Sequence, residues 1–235
     1  MLKTLIMLLA LAALTTPIHA ETYFKGSQIL AMCEAAGDAS AAVGKRNICA
    51  FYLLGVSDGL VTSSLYGRAA TDKSALKPTL CLPDGAGIAV LSDAFVTYGK
   101  AHAARMDAGG GEVAAAALQA RHGCGWLKAK NSKPDVVFLS AGDLLQKCAD
   151  ANAVVGLYCL HYVVGVSDLY AAMGAGGVKG VAAAGFAKQI CYPRDMADDQ
   201  PKRTFVAYMA AHPEAKGDPA ALTVARALHL AFACR

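Results

Sequence analysis

Tyr52 to Asp58 reads YLLGVSD and Tyr162 to Asp168 reads YVVGVSD, the same phrase 110 positions on (162−52). The cysteines keep that offset: Cys49, Cys81 and Cys124 recur as Cys159, Cys191 and Cys234 (159−49, 191−81, 234−124). The leading pair, Cys33 and Cys148, is offset by 115, so the first copy has a loop longer by five residues (16 against 11 between its first two cysteines). CLPDG at Cys81 faces CYPRD at Cys191, and Phe95, Tyr98 and His102 face Phe205, Tyr208 and His212. A register held at this many positions means one unit of about 100 residues duplicated in tandem.

Helical spacing dominates both copies, and no stretch alternates apolar with polar residues over a useful length. The expected fold class is therefore all-α, two tandem disulfide-stapled four-helix units related by an internal repeat. In the first copy the helices are expected near Ser27–Ala36, Arg46–Tyr66, Ala86–Ala103 and Gly111–His122. In the second they fall near Ala141–Asp150, Ala153–Met173, Asp199–Ala211 and Pro219–Ala231. Ile88, Leu91, Phe95, Tyr98 and His102 lie at i, i+3, i+7, i+10 and i+14, a stripe that faces a core. Asp218-Pro219 reads as an N-cap followed by a first-turn proline, and Pro213 after His212 as a helix stop. Val136–Leu139, a short apolar run, reads as the entry to the next helix.

Residues 1–20, MLKTLIMLLALAALTTPIHA, combine Lys3, an apolar stretch from Leu5 to Leu14, Pro17 and a small residue at Ala20. This is the pattern of a secretory signal cleaved after Ala20, leaving 215 residues (235−20). The expected organisation is signal 1–20, first helical unit 21–127, polar Lys-rich linker 128–137 and second unit 138–235. No later segment is expected to span a membrane, because the longest candidate, Ile48–Tyr66, carries Asp58 and a Ser/Thr cluster. Net charge is only +4, and no basic stripe interleaved with aromatics exists, which argues against nucleic acid as the partner.

Export makes an even set of eight cysteines a disulfide framework. Structural zinc needs ligand pairs two to four residues apart, whereas the closest spacings here are 16 and 11 residues (49−33, 159−148), so no metal is expected. An antiparallel hairpin of the first two helices brings Cys33 beside Cys49, and the same reasoning pairs Cys81 with Cys124, Cys148 with Cys159 and Cys191 with Cys234. The nested alternative, Cys33 with Cys124 and Cys49 with Cys81, stays open at this level.

No catalytic constellation emerges. Ser57-Asp58 and Ser167-Asp168 sit inside apolar helices with no recurring histidine nearby in sequence, so they read as packing or backbone-bonding groups. His102 and His212 read as helix C-terminal caps. The glycine runs at Gly85–Gly87, Gly109–Gly111 and Gly174–Gly180 lack a preceding strand and the Lys-Ser/Thr of a P-loop, and read as inter-helix loops. The residues describe a stapled helical binding module with no cofactor.

A leading cysteine, Cys-x-x-Tyr-x-x-Gly-x-x-Asp, a Cys-x-Pro turn, His-Pro-Glu and a closing Ala-Leu helix resemble the Rap/Tai family, immunity proteins against type VI secretion amidase effectors. The second copy carries the pattern through Cys148, Cys159, Tyr162, Gly165, Asp168, Cys191, Pro193, His212, Pro213, Glu214, Ala227, Leu228 and Cys234. The first keeps Cys33, Cys49, Tyr52, Gly55, Asp58, Cys81, Pro83, His102 and Cys124, with Ala103 and Ala104 replacing Pro and Glu. The resemblance implies a periplasmic protein that binds a papain-like peptidoglycan amidase and blocks its cleft. Family members typically pair as homodimers, so a tandem chain resembles a covalent pseudo-dimer. Recognition is expected in the loops that differ between copies, Gly67–Leu80, with Arg68, Asp72, Lys73 and Lys77, and Gly174–Gly185. The alternative is a periplasmic helical binding or chaperone-like module for another envelope protein or an apolar ligand.

Overall fold

A computed structural model describes residues 22–66, 80–83, 87–124, 139–178, 190–193 and 196–233. Among them the first copy forms α1 (Gly26–Cys33), α2 (Ser40–Tyr66), α3 (Ala89–Ala101) and α4 (Gly110–His122). The second repeats the order as α5 (Ala141–Ala149), α6 (Ala153–Gly174), α7 (Gln200–Ala211) and α8 (Ala220–Ala231). One 3₁₀ turn follows α3 (Ala103–Arg105) and another follows α7 (Pro213–Gly217). Four isolated bridges recur in matching pairs: Lys25 with Gly109 and Ser140 with Pro219, then Leu80 with Gly123 and Ile190 with Ala233.

Local chemistry explains the starts. Ser140 accepts the Asp143 amide at 3.1 Å while Asp143 accepts the Ser140 amide at 3.2 Å, a reciprocal cap that satisfies two donors at the mouth of α5. Asn152 accepts the Val154 amide at the start of α6. The five extra residues of the first copy do not all enlarge a loop. Ser40, Ala41 and Ala42 wind into α2, which has 27 residues against 22 for α6, because this Ala-rich run is a good helix former. Pro219 precedes α8 as an extended residue instead of opening it. The bridge holds it there, with the Ala141 amide donating to the Asp218 carbonyl and the Ala220 amide to that of Leu139. Asp218 correspondingly pairs with Arg226 at 2.9 Å and does not cap the helix. Pro213 ends α7 as expected and then opens the 3₁₀ turn.

The core is one body. Over Cys49–Ser63 of α2 and Cys159–Met173 of α6 nearly every residue is buried, and these stretches lie against each other at the centre. Tyr52, Leu53, Val56 and Leu60 from one copy join Tyr162, Val163, Val166 and Leu169 from the other in a single buried cluster, with Phe95 and Phe205 fully enclosed. The two units thus share a core that neither owns. Of the expected α3 stripe, Leu91 and Phe95 are buried and Ile88 and Tyr98 half-buried, but His102 lies beyond the helix end and is exposed.

α6, not 48–66, is long and apolar enough to cross a membrane by length and composition. Two thirds of its apolar window (67%) is buried inside the fold, as befits the core helix of a packed domain.

Three disulfides join Cys33 to Cys49, Cys81 to Cys124 and Cys148 to Cys159, which excludes the nested pairing in the first copy. Cys191 is disulfide-bonded as well, and its expected partner Cys234 lies outside the described residues, as do 1–20 and 128–137.

Candidate functional site

The repeated phrase lies where α2 and α6 cross. A methyl group added at Gly55 would run into the Tyr162 carbonyl oxygen, and one at Gly165 into that of Tyr52, so only glycine lets the two backbones approach this closely. The contacts are reciprocal, as a two-fold relation between the copies requires. One turn further on, Asp58 and Asp168 are fully buried. Each is satisfied by the other copy: Tyr52 donates its hydroxyl to Asp168 at 2.8 Å, and Tyr162 donates to Asp58 at 2.7 Å. Asp168 also accepts the amides of Tyr23 at 2.7 Å and Phe24 at 3.3 Å, and Asp58 accepts that of Leu139 at 3.3 Å.

Burial pushes the Asp168 carboxyl up to about 7, against the three donors that favour its charge. Burial and the facing carboxylates hold the phenols of Tyr52 and Tyr162 well above their ordinary value. Both carboxylates are spent on structural donors and neither faces solvent, which gives Ser57-Asp58 and Ser167-Asp168 the packing role read from sequence. What that reading missed is that the partners of the two aspartates lie in the opposite copy. A signal for it exists: Tyr52 and Asp58 are six residues apart, about 240° around one helix and about 9 Å along it, so they cannot bond each other. A tyrosine and an aspartate placed so within an apolar helix need partners elsewhere, and the repeat offers the complementary pair.

Gly109–Gly111 is a second point of close approach, not merely a loop. Gly110 and Gly111 belong to the first turn of α4, where a methyl on Gly110 would meet the Tyr52 hydroxyl at 2.6 Å and one on Gly111 the backbone of Asp168. His102 and His212 cap helix ends and stack on Tyr98 and Tyr208, with ring centroids 4.1 and 4.3 Å apart. Around them the copies diverge. Arg105 donates to the Tyr98 hydroxyl at 2.7 Å and pairs with Glu112 at 3.3 Å, whereas His212 contacts Glu214 at 3.1 Å.

Of the residues expected to recognise a partner, Arg68, Asp72, Lys73 and Lys77 lie outside the described residues. The second candidate loop is described only to Val178. It leaves α6 through Gly176, whose φ of +78° suits a residue without a β-carbon, and passes Gly177 against the Glu112 side chain of the other copy. Beside the Cys33–Cys49 bridge an open depression of about 790 Å³ is lined by Glu34, Arg46, Asn47, Ser92, Asp93 and Lys100, among others. Lys100 and Glu34 pair within it at 2.9 Å. At the matching place in the second copy, Lys202 stands where the first has Ser92 and reaches toward the Gly156 carbonyl at 3.5 Å. Among the described residues no group of three His, Cys, Asp or Glu side chains converges to hold a metal.

The family model for Rap1a immunity proteins matches the chain twice, over residues 25–124 and 140–234. No curated protein and no solved structure matches it.

Proposed function

Because the chain belongs to the family of Rap1a immunity proteins, we propose that it neutralises a toxic effector delivered by type VI secretion, a papain-like peptidoglycan amidase whose cleft it blocks. The observation that carries this reading is that both copies match the family, together over nearly all of the chain beyond residue 24. The three disulfides support an oxidising compartment, and with the secretory pattern of residues 1–20 they favour the periplasm, where such an effector acts. In this reading residues 1–20 are removed, 21–127 and 138–235 are the two immunity units joined by 128–137, and the protein is an inhibitor and not an enzyme.

Recognition is assigned to the loops after the two central helices, 67–80 with Arg68, Asp72, Lys73 and Lys77, and 174–185. These segments differ between copies while the helices that carry them keep the repeated Tyr-x-x-Gly-Val-Ser-Asp phrase. The test is affinity capture of the tagged mature protein from its native periplasm, followed by a peptidoglycan-cleavage assay on what is recovered. One amidase in stoichiometric amount, silenced by this chain and released by charge reversal at Lys73 and Lys77, is the expected result. Recovery of many unrelated envelope proteins and no amidase would replace the proposal with a general binding module.

A further inference from the structure

We infer that the two copies complete each other crosswise: Asp168 of the second copy holds the entry strap of the first in place, and Asp58 of the first holds that of the second, so that each half of the inhibitor keeps its shape only through the other. The strap of the first copy, Thr22 to Lys25, is pinned from two sides. On one side its carbonyl at Phe24 accepts the Gly110 amide at 2.6 Å, and the Gly26 amide donates to the Ala108 carbonyl at 3.0 Å, which ties the strap to the start of α4 within its own copy. On the other side the amides of Tyr23 and Phe24 point to Asp168 on α6.

The Phe24 ring stacks on His161 of the second copy at 5.9 Å and meets Tyr52 edge-on. Since α4 rests through Gly111 on the backbone at Asp168, a single point on α6 supports both the strap and the helix the strap is tied to. The second copy repeats the plan. Leu139 donates its amide to Asp58 and accepts that of Ala220 at 3.0 Å, and the Ala141 amide donates to the Asp218 carbonyl at 2.8 Å. Removing either aspartate leaves strap amides without their acceptor, and these belong to the copy that does not carry the substitution.

This dependence has a fingerprint that an ordinary local role lacks. In the oxidised full chain, residue-resolved amide hydrogen exchange is compared for the wild type, Asp168→Asn and Asp58→Asn. Tyr52→Phe and Tyr162→Phe remove one donor each without changing charge or volume much, and they carry the test if an asparagine variant does not fold. Asp168→Asn and Tyr52→Phe, substitutions in opposite copies, are expected to share one footprint. Exchange at Tyr23, Phe24, Gly26 and Gly110 should rise about tenfold relative to Leu139, Ala141 and Ala220. Asp58→Asn and Tyr162→Phe should give the reverse. Faster exchange confined to the copy that carries the substituted aspartate, or rising equally through both copies, would overturn the inference.

Discussion

Beneath the two Cys-x-Pro turns the copies part company. In the second, Ser167 donates to the Tyr192 hydroxyl at 2.7 Å, and the Tyr192 ring packs against Phe232 at 5.5 Å and edge-on to Tyr23 at 6.3 Å. In the first, Leu82 stands where Tyr192 would be, and the equivalent serine hydroxyl, on Ser57, is buried with no partner among the described residues. Two identical chains meeting on a two-fold axis must solve every contact the same way on both sides. A fused pair is free of that constraint. One half has acquired a closed polar-aromatic network while the other tolerates an unmet hydroxyl, although the Gly-Asp framework between them stays matched.

The comparison breaks hardest where the halves are alike. Gly55→Ala and Gly165→Ala each place a methyl group on a facing backbone carbonyl that cannot swing aside, so each should cost about 3 kcal/mol or more in denaturant unfolding. The two losses should agree, because the contacts are reciprocal. Gly44→Ala, with open space around the added atom, is the control and should be neutral or slightly stabilising.

A second expectation concerns pH. The folded Asp168 keeps its proton up to about 7, whereas the unfolded chain releases it near 3.8, so between these values the folded state binds more protons. The sign is therefore that stability from this group is fully present below about pH 4 and is lost as pH rises through 7, on the order of a few kcal/mol. Unfolding midpoints measured from pH 4.5 to 7.5 should fall for the wild type, and Asp168→Asn should flatten the profile. A wild-type profile that rises across this window would show Asp168 to be ionised in the fold.

The smallest effect sharpens the contrast most. Ser167→Ala strands the buried Tyr192 hydroxyl and should cost about 1–2 kcal/mol, while Ser57→Ala removes a hydroxyl with no partner among the described residues and should be neutral or stabilising. Equal losses from the two alanine variants would mean that the halves are not differently satisfied at this layer.

The repeat made the helices and their order legible, and hairpin geometry favoured the three observed cysteine pairs, although only the structure excluded the nested pairing in the first copy. Helix starts were less so. The shift of α8 from Pro219 to Ala220 comes from a bridge to Ser140, a contact far off in sequence that no capping rule anticipates. The shared core was hidden for a related reason: an apolar helix such as Ala153–Gly174 says that it is covered, but not by whom. Ser-Asp in each copy could be read as structural, yet its partners became apparent only when Tyr52 and Asp168 were seen 2.8 Å apart across the copies. His102 fell on the stripe by period and left it in space because the helix ends at Ala101.

The amide of Tyr23 waits for an acceptor 145 residues further along the chain. Synthesis runs from the N-terminus, so the segment that leads into α1 cannot be seated until the central helix of the second copy has been made. The Cys33–Cys49 bridge closes a loop of only 16 residues within the first copy, so it needs nothing from the second to hold α1 against α2. Seating the strap closes a loop of 145 residues, so its docking is expected after the local contacts within each copy. A polypeptide interrupted after the first copy would carry all four of that copy's cysteines and still lack the group that seats its beginning. The first copy is in this way completed only by a residue of the second.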